Sequence, residues 1–259
     1  MGSGRLKRIA AVAANTFRES VRERVFYNLL VFAMLMILAG LLLARLSIRQ
    51  HEKIIKDVGL ASIDVFGLVI ALFMGVSLVS KEIERRSLFP LLAKPLRREE
   101  FFLGKFAGLA LTLAANVAAM TAGLLLTLWA TGAKADLRLL QAVYPLTLGL
   151  LLVVALALLF STLASPTIAA VATLCLVVAG RLSDVVRNAR TVLPDAPSWL
   201  VEAVYYALPN FRNFDFKDQV AYGEAVPLGT LAWVTLYAAV YVGAVLGAGL
   251  LAFRRRELH

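Results

Sequence analysis

Charge is absent from five long stretches of this chain, and that limits its fold more than any other feature. Val25 to Ala44 runs 20 residues without a charged side chain, Phe106 to Ala133 runs 28, and Ala225 to Phe253 runs 29. Val65 to Ser80 adds 16, and Leu139 to Gly180 adds 42. Twenty helical residues rise about 30 Å, the thickness of a bilayer's hydrocarbon core. The 42-residue run is long enough for two spans, and Ser165-Pro166 is its natural break, because proline ends or kinks a helix. The 16-residue run becomes a full span if Gly59 to Asp64 lies at the interface. A backbone in hydrocarbon must satisfy its own hydrogen bonds, and these runs lack the alternation of a transmembrane barrel. The expectation is an all-α polytopic membrane protein with six transmembrane helices in a single domain covering 1–259. The spans are expected at about 25–45, 60–80, 104–131, 139–163, 166–181 and 226–252.

Composition supports this. The chain is 60% hydrophobic and 17% charged, too little polar surface to cover a soluble core of 259 residues. A single cysteine, Cys175, excludes an internal disulfide, and two histidines make a histidine metal cluster improbable. The first apolar run is too long for a signal peptide and no A-x-A-like cleavage site follows it, so it is expected to be retained. The opening Met1-Gly2-Ser3-Gly4 does not fit the myristoylation pattern, since position 6 is Leu6.

The net charge of +10 first allows a nucleic-acid partner, so its placement matters. Six spans put both termini on one side. Segments on that side carry sixteen Lys and Arg, seven of them between Lys81 and Lys105; the other side carries eleven, five of which are spread through one long loop. The positive-inside rule then makes both termini cytoplasmic. With acids included, the cytoplasmic segments hold about +9 and the remainder about +1. The basic charge is an orientation signal, and no nucleic-acid partner is expected.

Four polar segments join the spans. In Leu6 to Arg24, Ile9, Ala13, Phe17 and Val21 recur every fourth residue with Arg18, Arg22 and Arg24 off that stripe. This predicts an amphipathic helix over 1–24 lying in the plane of the inner leaflet. Lys81 to Lys105 has eleven charged residues in 25, with the apolar group Leu88, Phe89, Leu91 and Leu92 embedded and Pro90 and Pro95 as punctuation. That is a greasy tip with a charged rim, the anatomy of a docking surface. Spacing alone supports equally a solvated loop whose apolar residues lie on lipid. The extracytoplasmic segment 182–225 holds too many apolar residues for a free linker, and Pro194, Pro197 and Pro209 divide it. It reads either as a gate or partner-binding cap, or as a plug packed over the helix ends. Arg45 to Asp57 reads as a solvated turn.

Inside the spans ionisable groups are nearly absent. Asp64 and Arg181 stand at the outer ends of the second and fifth spans and are expected to reach the interface. Asn116, with Thr112 and Thr121 nearby, is a candidate for a pathway lining or, more simply, an interhelical hydrogen bond. Gly104-x-x-x-Gly108 and Gly243-x-x-x-Gly247 are spacings that permit close helix approach. The chain has no G-x-x-x-x-G-K-[ST], no G-x-S-x-G and no H-E-x-x-H, so neither nucleotide binding through a P-loop nor catalysis by this chain is expected.

The segment "SLVSKEIERRSLFPLLAKPLRREEFFLGKFAGL" resembles ABC-2-type transporter permeases. More narrowly it is similar to the permeases assigned to multicopper-enzyme maturation in nitrous-oxide reductase assembly systems. "NTFRESVRERVFYNLLVFAMLM" resembles that group's opening helix and first span, and "YYALPNFRNFDFKDQVAYG" the segment before its last span. The resemblance implies a type V exporter-like fold and a homodimer. It also implies a separate ABC ATPase subunit, with ATP and magnesium on that partner and no cofactor in this chain. It makes the 81–103 loop a coupling helix and assigns ATPase contact to Glu82, Glu84, Arg85, Arg86, Leu88, Leu91, Leu92, Lys94, Pro95 and Arg98. The location it implies is a bacterial or archaeal inner membrane, and a periplasmic assembly factor is a further partner. Two other functions stay open: a membrane scaffold that anchors such a factor without transport, and an ATP-independent lipid scramblase.

Overall fold

The structure is a computed structural model that describes residues 2–45, 51–84, 97–132, 136, 138–183 and 208–255. Among the described residues there is no strand. Helix α1 covers Gly2–Arg22, α2 Arg24–Arg45, α3 His51–Glu84, α4 Arg98–Ala130, α5 Arg138–Leu163 and α6 Pro166–Arg181. A 3-10 turn at Phe211–Phe214, a short α7 at Lys217–Ala221 and a long α8 at Leu228–Arg255 follow.

The helix ends follow local chemistry. Pro166 stands at the first position of α6 behind an extended Ser165, where its missing N–H costs nothing. At the start of α4 the Arg97 backbone N–H donates to Glu100 Oε2 at 3.4 Å. After α4, Gly132 takes the left-handed conformation at φ 71°, which a side chain would disfavour.

Among the described residues four helices are long and apolar enough to cross a membrane: Glu52–Val76, Glu99–Ala130, Arg138–Leu163 and Leu228–Phe253. Leu29–Leu42 and Pro166–Arg181 are shorter apolar helices. The centre of the bundle is α5, apolar on every face, with most of its length from Leu139 to Thr162 buried. Helix α3 runs parallel to it, and two glycines make the fit: a Cβ at Gly67 would lie 2.5 Å from Leu150 Cδ1, and one at Gly75 would lie 2.5 Å from Ala157 Cβ. Helix α8 flanks α5, with Tyr144 Oη and Thr235 Oγ1 2.8 Å apart and the Val226 backbone N–H donating to Gln141 Oε1 at 3.1 Å. Its far end reaches the start of α4, where the Phe253 ring lies 6.1 Å from that of Phe102. Both described ends of the chain therefore lie at one end of the bundle, with the end of α3 and the start of α4.

The helix expected over 1–24 is seen at Gly2–Arg22, packed against the start of α4. Helix α1 runs alongside α4 in the same direction. Arg8 meets Glu100, Val12 meets Gly104 and Thr16 meets Gly108, each pair 92 positions apart. The physical reason is the Gly104-x-x-x-Gly108 spacing. A Cβ at Gly108 would stand 2.6 Å from Thr16 Cβ and 2.7 Å from the Ala13 carbonyl oxygen, so only a bare backbone lets α1 sit this close. The second such pair behaves otherwise: Gly243 and Gly247 face open space.

Candidate functional site

Two places at opposite ends of the bundle concentrate polar chemistry. At the end that holds the described termini, α3 closes and α4 opens around the connection 85–96. Glu82 and Glu84 lie in the last turns of α3, and Arg98 opens α4. Arg85, Arg86, Leu88, Leu91, Leu92, Lys94 and Pro95 lie outside the described residues. Beside this connection α1 is held by charge as well as by glycine contact. Glu100 is buried at the base of α4, where Arg8 Nη2 donates to its Oε1 at 2.8 Å and Arg5 Nε stands 3.7 Å away. Five residues on, the buried Lys105 faces Glu19 of α1 at 3.9 Å.

Asn116, Thr112 and Thr121 are all buried along α4. They bond to their own helix. Thr112 Oγ1 donates to the Gly108 carbonyl at 2.9 Å, Asn116 Nδ2 to the Thr112 carbonyl at 3.3 Å, and Thr121 Oγ1 to the Val117 carbonyl at 2.7 Å. Such back-bonds are the usual outlet for short polar side chains in a helix. Asn116 thus bonds within α4 through Nδ2, and among the described residues its buried Oδ1 has no partner.

At the far end the structure gathers residues that sequence reasoning kept apart. Asp64 lies on α3, two turns past Asp57, and is 6% exposed. Arg181, the last residue of α6, takes its carboxylate in a fork, Nη2 to Oδ1 at 2.6 Å and Nη1 to Oδ2 at 2.9 Å. Lys217 Nζ, at the start of α7, donates to Oδ2 at 2.6 Å and stands 3.4 Å from Asp215. Asp64 and Arg181 are thus partners rather than two groups reaching separately for the interface. Desolvating one carboxylate is offset by two cations and charge-assisted bonds. Lys217 carries no sequence signal beyond its charge. The clue for the other two was an acid and a base at matching depth on different spans.

The backbone that brings Lys217 in is irregular and packed within the bundle. Phe211, Phe214 and Val220 are buried. Gly149 receives the Phe214 ring, and Gly180 leaves room for the Pro209 carbonyl, which a Cβ would meet at 2.3 Å. The Asn210 backbone N–H donates to Tyr237 Oη at 2.8 Å, pinning the segment to α8. The segment is surrounded by protein on one side and lines a cavity on the other. A cavity of about 220 Å³ opens beside Asp64, with Arg212, Asp215 and Lys217 on one side and Leu146, Leu150 and Val153 of α5 on the other.

Apolar helices pack around a central one, with the first helix seated on glycines. A sequence profile described as ABC-2 family transporter protein matches residues 10–183. The chain belongs to the ABC-2 transporter family. It is a multi-pass membrane protein and a permease component of an ABC transporter. Permeases of this family are typically non-catalytic and generally pair with an ABC ATPase subunit. No curated protein sequence matches the permease.

Proposed function

We propose that this permease forms a homodimer of six-span subunits with a type V exporter-like fold. In this reading it carries a substrate across the inner membrane of a bacterium or archaeon, driven by a separate ATPase. One domain, 1–259, holds the spans at about 25–45, 60–80, 104–131, 139–163, 166–181 and 226–252. Both termini and the coupling loop 81–103 are cytoplasmic, and 182–225 is extracytoplasmic. ATP and magnesium reside on the partner. Multicopper-enzyme maturation of the nitrous-oxide reductase kind, with a periplasmic assembly factor, is the finer reading and rests on sequence resemblance.

The observation that carries the proposal is that the two longest helices among the described residues, α3 and α4, flank the segment 85–96 in the chain, and that α1 is fastened to α4 near its start. A force applied there reaches the bundle through two continuous helices. Helix α3 extends 20 residues from Glu84 back to Asp64, about 30 Å at 1.5 Å per residue. ATP-driven closure of the ATPase pair then favours one permease state through its differential affinity. Replacing Leu91 and Leu92 by Asp is expected to abolish co-purification of the ATPase while membrane insertion persists. Undiminished co-purification would refute the docking assignment.

A further inference from the structure

The far-end cavity holds chemistry that ATPase docking does not use, and its reading stands or falls separately. Its lining presents three cations, Arg181, Arg212 and Lys217, against two anions, Asp64 and Asp215. Arg181 offers its guanidinium fork to a carboxylate, a geometry that fits a phosphate equally well. Asp64 occupies the place such a ligand would take, with both oxygens held by Arg181 and Lys217. Leu150, Phe211 and Phe214 close the other walls. Asp64 is the buried charge of the group, and a buried carboxylate is costly unless cations hold it.

We infer that this cavity is a binding site for an oxyanion of the phosphate class. Arg181 and Lys217 exchange the Asp64 carboxylate for the ligand, and Arg212 adds the third positive charge. At about 220 Å³ the cavity is smaller than the ~300–1,000 Å³ of pockets for drug-sized ligands, so it holds a headgroup and no acyl chain. The anion is either free phosphate or the phosphate of a phospholipid head, since the cavity lies toward the ends of the apolar helices. Exchange loosens Asp64 from Lys217, so occupancy also governs how firmly the 208–221 segment is tied to α3.

The test uses the full chain in nanodiscs of phosphatidylcholine, titrated with inorganic phosphate or with short-chain phosphatidylglycerol. Binding is read by calorimetry and by the unfolding temperature. Saturable binding of at least one probe is expected, and the probe that binds identifies the source. Lys217→Gln should weaken it about tenfold, the loss of one charge-assisted hydrogen bond, whereas Lys7→Gln on the exposed face of α1 should leave it unchanged. Asp64→Asn removes the internal competitor. If it folds, it should bind the anion about tenfold more tightly and regain stability on anion addition. Absence of saturable binding to the unmodified chain overturns the proposal whatever the variants do. So does equal weakening by Lys217→Gln and Lys7→Gln, which would mean general charge attraction only.

Discussion

Asn116 shows how much a single buried atom decides. Its Nδ2 is satisfied within α4, but Oδ1 has no partner, and a buried orphan acceptor costs about 1–3 kcal/mol. Asn116→Leu is therefore expected to raise the unfolding temperature of the permease. A fall in stability together with lost transport would mean that Oδ1 meets a group beyond the single chain. Glu100 is the opposite case, a buried carboxylate whose cationic partners come from α1. Glu100→Gln keeps the shape and removes the charge. Amide exchange along α1 should accelerate while that of α5 stays slow, because α5 owes its burial to other helices. Residues of this kind were only partly legible in the sequence. The polar types at 64, 116 and 181 stood out against apolar surroundings. Which atoms they bond depends on side-chain direction and, for Asp64 and Arg181, on neighbours more than a hundred positions away.

Among the helices, the two glycine pairs separate spacing from structure. Both have the small-x-x-x-small form, yet Gly108 touches the backbone of α1 and Gly243 touches nothing among the described residues. Gly108→Ala should destabilise by about 1–3 kcal/mol, since Thr16 and the Ala13 carbonyl cannot move aside without unseating α1. Gly243→Ala should fall within about 0.5 kcal/mol in the monomer, as substitutions away from contacts usually do. Unfolding in denaturing micelles checks both. A large loss from Gly243→Ala would place that face in a subunit interface. The apolar stripe of α1 was visible as a four-residue period, and period alone states that a face is greasy. It does not say whether lipid or a neighbouring helix covers that face, and here Ala13 and Thr16 are covered by α4.

For the whole permease, topology is the property open to direct test. Replacing Cys175 by Ser leaves a cysteine-free chain. On that background Lys7→Cys and Glu224→Cys should react with a membrane-impermeant thiol reagent from opposite faces, Lys7 from the cytoplasmic one. Labelling of both from the same face would contradict the six-span reading. The amino-acid sequence by itself determined that the chain is helical and membrane-embedded, because uncharged runs of about 20 residues have few other stable solutions. It also pointed to the ABC-2 family through the order of its charged and apolar blocks. Tertiary structure alone decided that α1 lies along α4 rather than across it. It alone decided that Asp64, Arg181 and Lys217 form one cluster around a cavity. The reason is range. Hydropathy is a sum over neighbours in the chain, and a span can be read from it. An ion pair 117 or 153 positions long depends on how glycines such as Gly149 and Gly180 let one segment approach another, and no local sum records that.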